Sequence, residues 1–167
     1  MREKIGTFDA FEQTMEQISG NGGLLASGDS GNPMAIGWGT IGIIWRKPIF
    51  VVLVRPSRFT FTLLEDCGEF TVNVPDASLA EQVAICGSKS GRDIDKIREC
   101  GFTLEDCESI SVPYLKECPI HYECRVVHKN DLSNAALDEE IVQSHYAAGD
   151  FHRVYYGEIL GVYRQTD

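Results

Sequence analysis

Two short segments collect the groups that hold an anion. RPSRFT, Arg55 to Thr60, follows an apolar run and opens a helical pattern. Amides at a helix start are unpaired, and the helix dipole adds partial positive charge there. Ser57, Arg58 and Thr60 place two hydroxyls and a guanidinium around that point, and a guanidinium can grip a phosphate with two parallel hydrogen bonds. The same residues also read as a capped helix with an exposed arginine, Ser57 being the cap. The second segment, CGSKSGRDIDK, runs from Cys86 to Lys96. It is not a P-loop, because Gly91 is followed by Arg92 and not by Lys-Ser or Lys-Thr, and the dinucleotide pattern G-x-G-x-x-G is absent from it. Ser88, Lys89, Ser90 and Gly91 can form an anion-binding nest. They can equally form a polar loop that caps a helix starting near Arg92. Taken together, the two segments are able to close on one phosphate.

A third segment, GNPMAIGWGT, places Gly37 and Gly39 on either side of Trp38 inside a strand pattern. Glycine weakens a strand unless a ligand or another backbone must come close. A flat heteroaromatic lying on bare backbone meets that condition, and so does a bend in a barrel.

The rest of the chain limits what such a site serves. The 167 residues carry a formal net charge of −10. Nucleic acids and anionic membranes demand clustered Lys and Arg, so neither is expected as a partner. Against that acidic background, cations gather at Arg55 and Arg58 and at Lys89, Arg92, Lys96 and Arg98. The start, MREKIGTFDAF, has no apolar signal core, and no run approaches a membrane span, which leads to the expectation of a cytoplasmic protein. The six cysteines include no C-x-x-C pair, so no metal site is expected and they read as free structural thiols. Cys86 stands apart, because Lys89 and Arg92 lie close in sequence and are expected to lower its pKa.

These segments need elements to position them. Thr7 to Ile18 has Phe8, Phe11, Met15 and Ile18 at helical spacing. A strand at Gly23–Ser27, a turn at Asp29–Asn32 and a strand at Pro33–Gly39 read as a hairpin. Pro48–Arg55 is a continuous β-branched and aromatic run, as in a strand buried on both faces. Helices are expected at Arg58–Cys67, at Ser78–Ile85 with a serine cap, and at Arg92–Cys100. Glu69–Val74, Pro119–Val127 and His152–Tyr163 read as further strands. Many strands with a few short helices, and no regular alternation of the two, point to a single mainly β domain: a barrel with helices packed outside.

The order GNPMAIGWGT, KPIFVVLVRPSRFT, CGSKSGRDIDK and GDFHRVYYGEI resembles the flavin reductase-like proteins, which include the flavoredoxins. The four motifs reach from about residue 22 to 163. The resemblance implies a split β-barrel of the FMN-binding type, a homodimer, and electrons passing from NADH, NADPH or a redox partner protein through bound FMN. It assigns Asn32, Met34, Ala35, Gly37, Trp38, Gly39 and Thr40 to the flavin ring, with backbone contacts at Ala35 and Gly37, where relatives often carry hydroxyls. It assigns Ser57, Arg58 and Thr60 to the phosphate, Ser88, Lys89, Ser90 and Gly91 to a second phosphate-side loop, and Lys96 to a recurrent lysine. His152 matches a frequent histidine near the flavin or substrate; a barrel-end histidine bonded to backbone is the other reading. An electron carrier without a nicotinamide site and a flavin-binding module without turnover are the alternatives.

Overall fold

The computed structural model describes residues 1–166. A short strand β1 (Arg2–Lys4) precedes helix α1 (Phe11–Gly20). Strands β2 (Gly23–Ser27) and β3 (Asn32–Ile36) form one hairpin; β4 (Gly39–Ile44) and β5 (Lys47–Val54) form another. Helix α2 (Phe59–Cys67) leads into β6 (Glu69–Val74). Helices α3 (Ala80–Ser88) and α4 (Lys96–Cys100) come next, then a small ladder of β7 (Leu104–Glu105) and β8 (Tyr114–Leu115). Two long strands, β9 (Ile120–Asp131) and β10 (Arg153–Gln165), enclose the segment that holds α5 (Glu139–His145).

Eight strands build one antiparallel sheet in the order β3-β2-β6-β9-β10-β5-β4, with β1 paired to the far end of β10. Its edges, β3 and β4, are neighbours in the chain, separated only by Gly37 and Trp38. The three Cα steps from Ile36 to Gly39 span at most about 11 Å. The sheet must therefore curl until its edges nearly meet, which makes a barrel with a seam at Gly37–Trp38. The mainly β barrel with short outer helices expected from the sequence is the fold observed.

The interior is apolar. Phe50 and Tyr122 meet edge to face at 5.1 Å, and Val52, Phe70, Val72 and Cys124 are fully buried. A second apolar layer of Leu24, Val83, Cys86, Leu115 and Cys118 lies outside the barrel and seats α3 and α4. At the other end Arg2 is sandwiched between the rings of Tyr114 and Tyr163, 4.0 and 3.9 Å from their centres, and pairs with buried Glu123 at 2.6 Å. No helix among the described residues is long and apolar enough to cross a membrane.

Several boundaries depart from expectation. The strand expected at Pro33–Gly39 breaks at Gly37, because the chain changes sheet edge there. The first helix buries Thr14 and Ile18, and Phe8 and Phe11 stay exposed. Thr14 is drawn inward by a 2.8 Å hydrogen bond to the Tyr122 hydroxyl. Strand β5 is not buried on both faces: Ile49, Phe50, Val52 and Val54 are buried, while Val51 and Leu53 are half-buried. Asp76, not Ser78, caps the turn before α3, its carboxylate accepting from the Ser78 amide at 2.8 Å. Helix α4 starts at Lys96 under an Asp95 cap rather than at Arg92.

Candidate functional site

Two clefts meet outside the barrel seam. The first, about 200 Å³, is floored by Met34, Ala35 and Ile36 of β3 and by the Gly37–Trp38 link; Arg58 and His152 stand over it. A Cβ built on Gly37 meets nothing within 4 Å, so the backbone there is bare. Gly39 is glycine for the opposite reason, since a Cβ would come within 2.9 Å of the Val51 carbonyl oxygen.

The second cleft, about 100 Å³, lies between Ser57–Thr60 at the start of α2 and Lys89–Gly91 after α3. Met34 and Arg58 line both clefts, so the two form one groove. Arg58, Lys89 and Lys96 line its second end and no carboxylate does, in a chain whose net charge is −10. Lys96 is 4% exposed, and burial pushes its pKa below the ordinary lysine value. Its Nζ donates to the carbonyls of Pro33 and Cys86, each at 2.9 Å, which ties β3 to α3 and leaves the third N–H. An ammonium so buried without a carboxylate calls for an anion beside it.

The two loops are joined directly. Arg92 Nη1 donates to the Ser57 carbonyl at 3.2 Å, and Asn32 Nδ2 to Thr60 Oγ1 at 3.2 Å. Gly91 has to be glycine for this contact, because a Cβ would sit 2.0 Å from Asn32 Oδ1 and 2.8 Å from Phe59 Cδ1.

Residues 15–167 match the family model of the flavin reductase-like domain. The chain belongs to this family. It is 32% identical over 115 residues to an uncharacterised protein of Archaeoglobus fulgidus, a match covering 68% of this chain and 64% of that one. The matched regions span between 40% and 64% of the length of the curated relatives. Among solved structures, flavoredoxin from Methanosarcina acetivorans superposes with a TM-score of 0.69 at 26% identity, over 86% of this chain and 68% of that one. An FMN-binding protein from Thermus thermophilus shares the fold with a TM-score of 0.68 at 22% identity, over 86% and 71%. The fold is the FMN-binding split barrel.

Within this flavin reductase-like fold the residues singled out from sequence divide in two. Ala35, Gly37, Trp38 and His152 line the first cleft; Asn32, Ser57, Thr60, Lys89, Ser90, Gly91 and Lys96 line the second, and Met34 and Arg58 line both. Gly39 lines neither; with Met15 and Ile18 it faces a hollow on the far side of the link. Thr40 is exposed on β4 and lines no part of the groove. Ser88 is the last residue of α3, and its hydroxyl turns back to the Ala84 carbonyl at 2.8 Å, so it too lies outside the groove. Ser57 is not the cap of α2. The cap position is Arg58, and Ser57 gives its hydroxyl to the Asp150 carboxylate.

His152 precedes β10, and its Nδ1 shares a 2.7 Å hydrogen bond with the Tyr146 hydroxyl rather than with backbone. Burial, followed by the charge of Arg55, pushes its pKa down to about 4, so the ring is neutral at pH 7. Trp38 lies 5.0 Å from it and 4.9 Å from His145, ring centre to ring centre. The thiol of Cys86 runs against expectation. Burial and the neighbouring Cys100, 3.9 Å away, push its pKa up to about 12, which outweighs Lys96. Sequence reasoning missed the segment of His145, Tyr146 and Asp150, which contacts the cleft residues Trp38, His152 and Ser57. Arg55 fastens it by donating to the carbonyls of His145 and Asp150, each at 2.9 Å. GDFH, with its turn-forming Gly-Asp, was the available signal.

Proposed function

We propose that the protein is a flavin reductase that binds FMN in this groove and takes electrons from NADH or NADPH. One observation carries the reading: a cleft of about 200 Å³ with bare backbone at Gly37 shares Met34 and Arg58 with a pocket lined by three cations and no carboxylate. That shape and charge fit a flat ring bearing a phosphate. Arg58, Ser90, Lys96 and the first amides of α2 hold the phosphate; Ala35 to Trp38 support the ring through backbone. Bound there, FMN supplies the electron and hydride chemistry. The chain's own groups orient the ring and set its surroundings. Neutral His152, with Nδ1 engaged by Tyr146, keeps Nε2 as the ring nitrogen available to hold or pass a proton at the cleft edge. No covalent step on the protein is part of this reading.

The protein works as a cytoplasmic homodimer in this proposal. Support for self-association comes from exposed Ile43 and Trp45 on the β4–β5 hairpin and Val127 on β9, large apolar side chains that a second copy would cover.

The test is the absorption spectrum of the purified protein with added FMN, followed anaerobically with NADH, NADPH or neither. A flavin spectrum that bleaches with a nicotinamide supports the proposal. Bleaching only by a reduced protein partner makes the chain an electron carrier, and the absence of FMN binding by calorimetry ends the reading.

A further inference from the structure

Two thiols stand together in the apolar layer that seats α3 and α4. Cys86 lies in the last turn of α3 and Cys100 is the last residue of α4, and their sulfurs are 3.9 Å apart. A disulfide needs about 2.05 Å, which leaves a gap of about 1.9 Å. Rotation about a Cα–Cβ bond moves a sulfur that far. The two differ in access. Cys86 is 1% exposed, whereas Cys100 is half-buried, so an oxidant meets Cys100 first.

The pair brackets one wall of the second cleft. Between Cys86 and Cys100 the chain carries Lys89, Ser90, Gly91 and Lys96, which line that cleft, as Cys86 does itself. Lys96 Nζ donates to the Cys86 carbonyl at 2.9 Å, so a shift of either helix end reaches the ammonium. A Cβ on Gly87 would lie 3.2 Å from the Ala35 Cβ, so the end of α3 already rests on β3. The stretch beyond is held more lightly: no residue from Gly87 to Asp95 is buried.

We propose that hydrogen peroxide converts Cys86 and Cys100 into a reversible disulfide, which staples this wall and tightens the cleft's hold on a bound phosphate. The second half rests on the reading that this cleft takes the flavin phosphate. The Cys100 sulfur attacks one peroxide oxygen; the O–O bond breaks, giving the Cys100 sulfenic acid and one water. The Cys86 sulfur then displaces the sulfenic hydroxyl, which leaves with the Cys86 proton as a second water. Two thiols lose two electrons and one peroxide gains them. Burial pushes the Cys86 pKa up to about 12 and raises that of Cys100 as well. Thiolate is therefore scarce, and the pair answers sustained peroxide and not a brief pulse. Once closed, the loop has less freedom to lose when a phosphate binds.

The test treats the full chain with hydrogen peroxide, with and without later dithiothreitol, in the wild type and in Cys100→Ser. Two of the six thiols should be lost from the wild type on titration after denaturation, and dithiothreitol should restore them. Peptide mass mapping should place the bond between Cys86 and Cys100. By calorimetry, the oxidised wild type should bind FMN roughly three- to tenfold more tightly than the reduced form, with riboflavin affinity unchanged. Cys100→Ser should match the reduced wild type before and after peroxide. A different pairing, or sulfinic and sulfonic acids in place of the bond, overturns the proposal. So does a mapped bond that leaves FMN affinity unchanged or lowered. Failure of both redox forms to bind FMN overturns the flavin reading and the tightening with it, while the mapped bond still decides the oxidation site.

Discussion

The carboxylate of Asp150 holds Ser57 at two points, accepting from its hydroxyl at 2.6 Å and from its amide at 3.3 Å. Ser57 borders the cationic pocket, so a protein carboxylate already takes two donors that a bound phosphate would otherwise attract. Asp150 has φ 54° and follows Gly149 at φ 81°, both left-handed conformations, which aspartate tolerates better than most residues.

Replacing that residue is informative. Asp150→Gly keeps the left-handed backbone accessible, frees both Ser57 donors and removes a negative charge near the pocket. One neutral hydrogen bond contributes about 1 kcal/mol. The ratio of FMN to riboflavin affinity is expected to rise roughly three- to tenfold, because only FMN has a phosphate to gain from it. Calorimetric titration of both flavins checks this; an unchanged ratio means Ser57 never turns to the phosphate.

On the proposed reading, Arg58 separates phosphate from ring in the other direction. Its guanidinium makes no hydrogen bond or ion pair among the described residues, though it lines both clefts. Arg58→Ala should lower FMN affinity by roughly ten- to a hundredfold, the loss of a charge-assisted contact of about 1.5 to 3 kcal/mol. Riboflavin affinity should barely change. Equal losses for the two ligands would place Arg58 on the ring.

Gly91→Ala forces apart the two loops that line the second cleft, since its Cβ would overlap Asn32 and Phe59. Of the barrel, the clash meets only Asn32, at the start of β3. Thermal unfolding should shift down by a few degrees, as for a cost of about 1 to 2 kcal/mol. FMN affinity should fall by more than riboflavin affinity. A variant with wild-type affinity for FMN would show that the loop spacing is unimportant to the phosphate.

Two histidines set an acid limit. Burial pushes His121 down to about 4, and burial with Arg55 pushes His152 to about 4. Both folded pKa values lie below the ordinary 6.5, so in between the unfolded chain binds more protons and stability rises with pH. Their contribution is complete above about pH 6.5 and is lost as pH falls toward 4. The slope is at most about 1.4 kcal/mol per pH unit for the deeply buried His121, and smaller for the half-exposed His152. Denaturant unfolding at pH 7, 6 and 5 checks this, and His121→Gln should flatten the profile.

The barrel was legible because its strands announce themselves. β5 and β6 are dense in β-branched and aromatic residues, and the β2–β3 hairpin is signalled by its glycine turn. The β4–β5 hairpin was not, because its turn uses Trp45 and Arg46 at φ 53° and 58°, where Asn-Gly is the usual signal. Strand β9 continues beyond Val127 through HKND, exposed and polar, held by its pairing with β10 and not by any apolar pattern of its own.

Donor-rich composition marked two segments that line the second cleft, and of the two glycines flanking Trp38 only Gly37 lines the first. Composition could not tell which donors were already spent. Ser57 is taken by Asp150, a residue 93 positions away, and Ser88 by its own helix. Cys86 shows the same limit: nearby cations in sequence favour a reactive thiol, but three-dimensional burial outweighs them. Long-range partners of this kind leave no mark on the local sequence.

The seam residue Trp38 gives the molecule a built-in optical reporter. It is 41% exposed at the floor of the ring cleft, and the chain has only one other tryptophan, Trp45, on the turn between β4 and β5. Indole emission is strongly quenched by a flavin ring within contact distance. With Trp45→Phe, the remaining emission therefore comes from one point in the barrel, the place where its two edges meet, and filling of the cleft can be followed in real time without any label.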